Sequence, residues 1–133
     1  MLEIQKQDLE IDQRDSKDYK IFIKDANKIP FPLTGYNAVF VVKSDIKDTL
    51  AQAKILKKTV GLTAAPAGAD AQITVVDSLK GILEVHLTST DTNLLSGVYR
   101  WVLVIVNNTT GKRYTAARGA FKVTEAEINE AIT

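Results

Sequence analysis

The chain offers little material for acid–base or covalent chemistry. His86 is its only histidine, and there is no cysteine among the 133 residues. A histidine works as a general base when a nucleophile stands on one side of the ring and an orienting group on the other. The segment Ile82–Leu87 alternates, with Leu83, Val85 and Leu87 on one side and His86 on the other. We therefore expect His86 to be a strand residue facing solvent rather than a catalytic base. A lone histidine without cysteine supplies too few ligands for a zinc site, and the missing cysteines exclude disulfides and thiol nucleophiles.

Carboxylates gather in "DLEIDQRDSKD", which holds Asp8, Glu10, Asp12, Asp15 and Asp18. The calcium-loop order, with a glycine at its sixth position, is not there. A solvated N-terminal arm over residues 1–17 is the expectation. Neither the P-loop pattern nor G-x-G-x-x-G occurs. Lys112, Arg113, Arg118 and Lys122 lie near Tyr114 and Phe121, a mixture that single-strand nucleic-acid binders use. The net charge, however, is only +1, from 17 basic and 16 acidic residues. Nucleic-acid binders carry a strong basic excess, so we expect a solvated hairpin and no nucleic-acid partner. No nucleophile–base pair, metal motif or cofactor motif stands out, and the expected protein is not an enzyme and holds no cofactor or metal.

The elements that would position any site read mostly as strands. A chain of this length makes one domain, and 45% hydrophobic with 25% charged residues is ordinary for a globular protein. The longest apolar run, Trp101–Val106, is too short to span a bilayer, and "MLEIQKQDLEIDQRD" lacks a signal pattern. Synthesis in the cytoplasm and no membrane partner are expected. Asp18–Asp25 alternates as a half-buried strand, and Pro30, Pro32 and Gly35 punctuate the turn after it. Tyr36–Lys43 is apolar on both faces, as in a central strand, and lysine-rich Ala51–Thr59 reads as an edge strand.

Gly61–Asp70 is a flexible loop, followed by strands at Ile73–Val76 and Ile82–Leu87. Thr88 or Ser89 then caps a helical turn with Asp91 in it, Leu94 and Leu95 tuck under, and Gly97 lets the chain leave. A long hairpin runs to Val106, turns at Asn107–Gly111 and returns over Arg113–Val123. Thr124 with Glu127 makes a capping box that opens a C-terminal helix over 124–133, with Ile128 and Ile132 on one face. About seven short strands with regular turn signals predict an all-β chain, an antiparallel β-sandwich over 18–123.

One feature exceeds that plan. Val98, Val102, Val104 and Val106 make a second apolar face interrupted only by Arg100, and Val39 and Val41 add to it. A sandwich strand ordinarily buries one face. Either the chain's own termini cover the second face or a partner does. Val102, Val104, Val39, Val41, Ile128 and Ile132 are the candidate contact residues.

Three stretches carry a resemblance: "PLTGYNAVFVVKS", "GILEVHLTSTDTNLLSGVYRWVLVI" and "GKRYTAARGAFKV". Together they are similar to the immunoglobulin-like N-terminal domain of phage baseplate upper proteins and related tail accessory proteins. By position, Leu33, Thr34 and Gly35 match the family's turn, Asp91 and Thr92 its capped turn, and Gly97, Tyr99 and Trp101 the strand after it. The resemblance implies an immunoglobulin-like fold and no catalytic residues. Those proteins continue into long further regions, whereas this sequence ends at Thr133 after one short helix, which favours a small stand-alone component.

The expected protein is thus a virion component that contacts other virion proteins in a tail, baseplate or neck, as a homo-oligomer or docked on a symmetric lattice. Capsid decoration or fibre anchoring is the nearest alternative. A carbohydrate- or ligand-binding module using Tyr36, Tyr114 or Trp101 is the alternative from another class.

Overall fold

Alternation of buried and exposed residues governs most of the chain. The computed structural model describes residues 2–45, 47–49, 52–59 and 73–127. Among them lie eleven strands: β1 (Leu2–Glu3), β2 (Gln5–Lys6), β3 (Leu9–Asp12), β4 (Lys17–Phe22), β5 (Lys24–Asp25), β6 (Tyr36–Lys43), β7 (Ile55–Lys58), β8 (Ile73–Asp77), β9 (Ile82–Leu87), β10 (Gly97–Asn107) and β11 (Arg113–Thr124). The all-β expectation holds. The bounds of β6 and β9 coincide with those the alternation and turn residues predict.

Two sheets share one core. The larger runs β2–β11–β10–β6–β7, with β3 also on β11, and the smaller runs β4–β9–β8; β1 and β5 form a separate pair. Ile21, Leu83, Val85 and Leu87 of the smaller sheet and Phe40, Val42, Trp101, Leu103, Ile105 and Phe121 of the larger belong to one buried cluster. The rings of Phe40 and Trp101 stack with centroids 5.6 Å apart, while Tyr19 meets Phe121 edge-on at 6.4 Å. Such aromatic pairs add ~0.5–1.5 kcal/mol beyond the area they bury. Between Leu103 and Val104 the ladder to β11 shifts register. That bulge lets Ala116 and Ala117, successive residues, both be buried.

The N-terminal segment corrects the expectation of a solvated arm. β2 and β3 pair with β11 in parallel, and Leu9 and Ile11 are in the core, while the acids Asp8, Glu10 and Asp12 beside them are exposed. The sheet is therefore not purely antiparallel. β3 belongs to it because Leu9 and Ile11 alternate with Glu10 and Asp12, a period of two that fits one buried face.

The C-terminal expectation changes too. Thr124 ends β11 and its hydroxyl donates to the Ile11 carbonyl and to the Asp12 carboxylate, so it does not open a helix with Glu127. Residues 125–127 are not helical, and Ile128 and Ile132 lie outside the described residues, as does the Gly61–Asp70 loop. The connection after β9 is a hydrogen-bonded turn rather than a helix. Leu94 packs against the core but Leu95 is 84% exposed, contrary to the expectation that both tuck under.

Candidate functional site

The outer face of the larger sheet is where most predicted contact residues gather. Register sets Val102 opposite both Val41 and Arg118, Val104 opposite Val39 and Thr115, and Val41 opposite Leu56. Val39, Val102, Val104 and Leu56 are half-buried. Val41, flanked by Val102 and Leu56, is 3% exposed and offers little free surface to a partner. Above this apolar strip lie Lys43, Arg100 and Arg118 around a shallow cavity of about 200 Å³ whose floor includes Val102 and Trp101.

The residues singled out by the motif resemblance build the loops at the ends of the sheets. Leu33, Thr34 and Gly35 make a turn in which the Tyr36 amide donates to the Leu33 carbonyl at 3.0 Å. Gly35 sits at φ +82°, the left-handed position that a type II turn requires of its third residue. Asp91 accepts hydrogen bonds from the Thr88 amide (2.8 Å) and hydroxyl (3.0 Å), while the Asp91 amide donates back to the Thr88 hydroxyl at 3.3 Å. This is the reciprocal logic of a capping box closed over a single turn. The same carboxylate pairs with Lys57 Nζ at 2.6 Å, which fastens the loop to β7. Thr92 is fully buried, and its hydroxyl donates to the Asp15 carbonyl at 2.7 Å, fastening the loop to the N-terminal segment as well. Gly97 opens β10, and Tyr99 and Trp101 follow it into the core.

His86 sits on the outer face of the smaller sheet, directly opposite Asp18. The ring is held on both sides: Nδ1 lies 2.8 Å from Asp18 Oδ1 and 3.6 Å from Glu84 Oε1, and Nε2 lies 2.9 Å from the Thr74 hydroxyl. The structure thus places an orienting carboxylate and a hydroxyl around the histidine, which sequence spacing did not reveal. Ligand-type atoms of Asp18, Glu84 and His86 fall within 4.8 Å of one another, on a face where Asp18 is exposed and the others half-buried. The bonds tie β4, β9 and β8 together across the sheet.

The aromatic candidates separate. Trp101 is 2% exposed and its Nε1 donates to the Gln7 carbonyl at 2.8 Å, so it is not available to a ligand. Tyr36 and Tyr114 instead join Phe31 in a chain of edge-on contacts, with centroids 5.6 and 6.5 Å apart. Leu2 and Ile4 complete the wall of a cleft of about 570 Å³ beside them. Phe31 carried no sequence signal of its own between the two prolines.

Among the described residues, Tyr19 is the one group whose titration departs clearly from the ordinary. Its hydroxyl donates to the Glu10 carbonyl at 2.8 Å, and burial, with the Glu10 charge second, pushes its pKa up to about 12. Comparison with protein-family models and with curated proteins finds no match for this chain.

Proposed function

We propose that this chain is a non-enzymatic structural protein of a bacteriophage particle. It is a β-sandwich of immunoglobulin-like topology that packs against other virion proteins through the outer face of its larger sheet. The strand order supports the topology: β4–β9–β8 faces β11–β10–β6–β7, the B-E-D and G-F-C-C′ order of that fold, with β2 and β3 as the strand parallel to the last one. Tyr99 near the start of β10 supports it further, since its hydroxyl donates to the Leu95 carbonyl four residues upstream at 2.6 Å, as in a tyrosine corner.

The observation that carries the assembly role is the apolar strip of Val39, Val102, Val104 and Leu56 on a face that meets solvent. A stable contact takes roughly 800 Å² per partner, so the rest of the sheet face would join the strip in it. A tail, baseplate or neck position follows from the motif resemblance, with head decoration or fibre anchoring as the nearest variant. The protein assembles with copies of itself or on a symmetric lattice within the virion.

Light scattering on the purified protein, coupled to size exclusion, tests this. A defined oligomer that Val102→Lys with Val104→Lys converts to monomer supports it. A wild type that stays monomeric at every concentration, or an oligomer untouched by the two lysines, overturns assembly of copies through this face.

A second reading is favoured by the cleft at Phe31, Tyr36 and Tyr114. Stacked sugar faces suit such rings, and a glycan array is the check. Binding abolished by Tyr114→Ala would move the function to ligand recognition.

A further inference from the structure

Among the described strands, charged residues that meet across a pair are matched in sign, with one local exception. Glu3 is opposite Lys24, Glu10 opposite Lys122 and Glu84 opposite Lys20. On the outer face of the larger sheet the rule fails twice, side by side: Arg100 is opposite Lys43, and Arg118 is opposite Lys6. Like charges directly opposite each other destabilise a sheet. The four cations stand on β2, β11, β10 and β6, which are consecutive in the sheet. Strands ~4.8 Å apart spread them over roughly 14 Å.

Nothing in the described part of the chain relieves this repulsion. None of the four side chains forms an ion pair among the described residues. Arg100 and Arg118 line both the cavity that Lys43 completes and an adjoining one of about 480 Å³ that Lys6 completes. Asp8 is the acidic group lining the latter, and its Oδ1 already accepts the Ala120 amide at 3.1 Å. Val102 and Trp101 line the smaller cavity between the arginines, so an anion seated there meets less competition from water than on an open surface.

We propose that Lys6, Lys43, Arg100 and Arg118 form a binding site for a multivalent oxyanion, a phosphate or a set of clustered carboxylates. Guanidinium groups present paired donors that match the oxygens of either group, and the lysines add point charge at the two ends. The bound anion supplies the charge that the cross-strand register lacks. The site stands on that register and not on the assembly role.

Thermal unfolding at constant ionic strength tests it, with inorganic phosphate and hexaglutamate as probes and chloride as the reference. Both probes are expected to raise the wild-type midpoint saturably, and Arg100→Gln with Arg118→Gln to weaken the apparent affinity at least tenfold. Lys122→Gln, beside Glu10 on the same sheet, is expected to leave it within twofold. Without probe, at low salt, the double variant is expected to be as stable as wild type or more so, since it removes repulsion. Hexaglutamate tenfold tighter than phosphate assigns the site to a partner's carboxylates, and the reverse order assigns it to a phosphate-class ligand. A response that merely follows ionic strength, or is equal in the double variant, overturns the proposal. So does a double variant that is less stable than wild type without probe, because the arginines would then be structural.

Discussion

Trp101 Nε1 donates to the Gln7 carbonyl across 2.8 Å, and the path between them passes over Gly119, the cross-strand neighbour of Trp101. A Cβ at Gly119 would stand 1.8 Å from that carbonyl oxygen and 2.9 Å from the indole nitrogen. Backbone, not a flexible side chain, occupies the space. Gly119→Ala must therefore push the Gln7 backbone, which links β2 to β3, away from β11. We expect a loss of about 3 kcal/mol, at the upper end of overpacking costs, read from urea unfolding. A red shift of the tryptophan emission should accompany it as the indole loses its cover. A change below ~0.5 kcal/mol would mean that β2 contributes nothing to the sheet.

Asp91 and Lys57 should show the asymmetry of a buried pair. Lys57 has a side chain only 8% exposed and reaches Asp91 across 2.6 Å. Asp91→Ala removes the acceptor for both Thr88 groups and leaves a buried ammonium without its partner. It should cost on the order of 3–5 kcal/mol, whereas Lys57→Met, which fills the same space without charge, should cost much less. Equal losses in the two variants, by denaturant titration, would show that Lys57 is not buried in solution.

Strands that alternate and end on turn residues were legible: β6, β9 and the β10–β11 hairpin fall where glycine, asparagine and the period of two put them. What escaped has a common cause. The pairing of β3 with β11 joins residues more than a hundred positions apart, and the carboxylates of "DLEID" hid the two core residues among them. Asp18, Thr74 and His86 meet only through the register of three strands. Lys6, Lys43, Arg100 and Arg118 are likewise far apart in sequence and adjacent only in the sheet. Phe31 looked like a loop residue until Tyr36 and Tyr114 folded against it.

Tyr19 makes stability fall at high pH in a defined window. Its phenol titrates near 10.0 when unperturbed and at about 12 in the folded chain. Above the unfolded value the denatured state loses the proton first, so the contribution present below pH ~10 is lost progressively as pH rises towards ~12. Discounting for the partly solvated hydroxyl, the loss is on the order of 1–2 kcal/mol. Comparison with Tyr19→Phe isolates it: the variant should be flatter between those pH values. Parallel curves for the two proteins would remove the assignment.

The N-terminal segment should be indispensable, and replaceable in trans. Leu9 and Ile11 are 4% and 5% exposed, and their strand covers the Phe121–Thr124 end of β11. Burying two such side chains contributes ~1.5–3 kcal/mol each, a large share of the ~5–15 kcal/mol that holds a domain together. Deleting residues 1–13 also removes the Gln7 carbonyl from Trp101 and the side chain of Gln13 from the Leu94 carbonyl. We expect the truncated chain to lose cooperative thermal unfolding, and a synthetic peptide of residues 1–13 to restore it. The same peptide carrying Leu9→Asp and Ile11→Asp keeps every backbone donor and acceptor but presents charge to the core, so it should fail to do so. Rescue by both peptides would show that backbone pairing with β11, and not the two buried side chains, sets the stability of this edge.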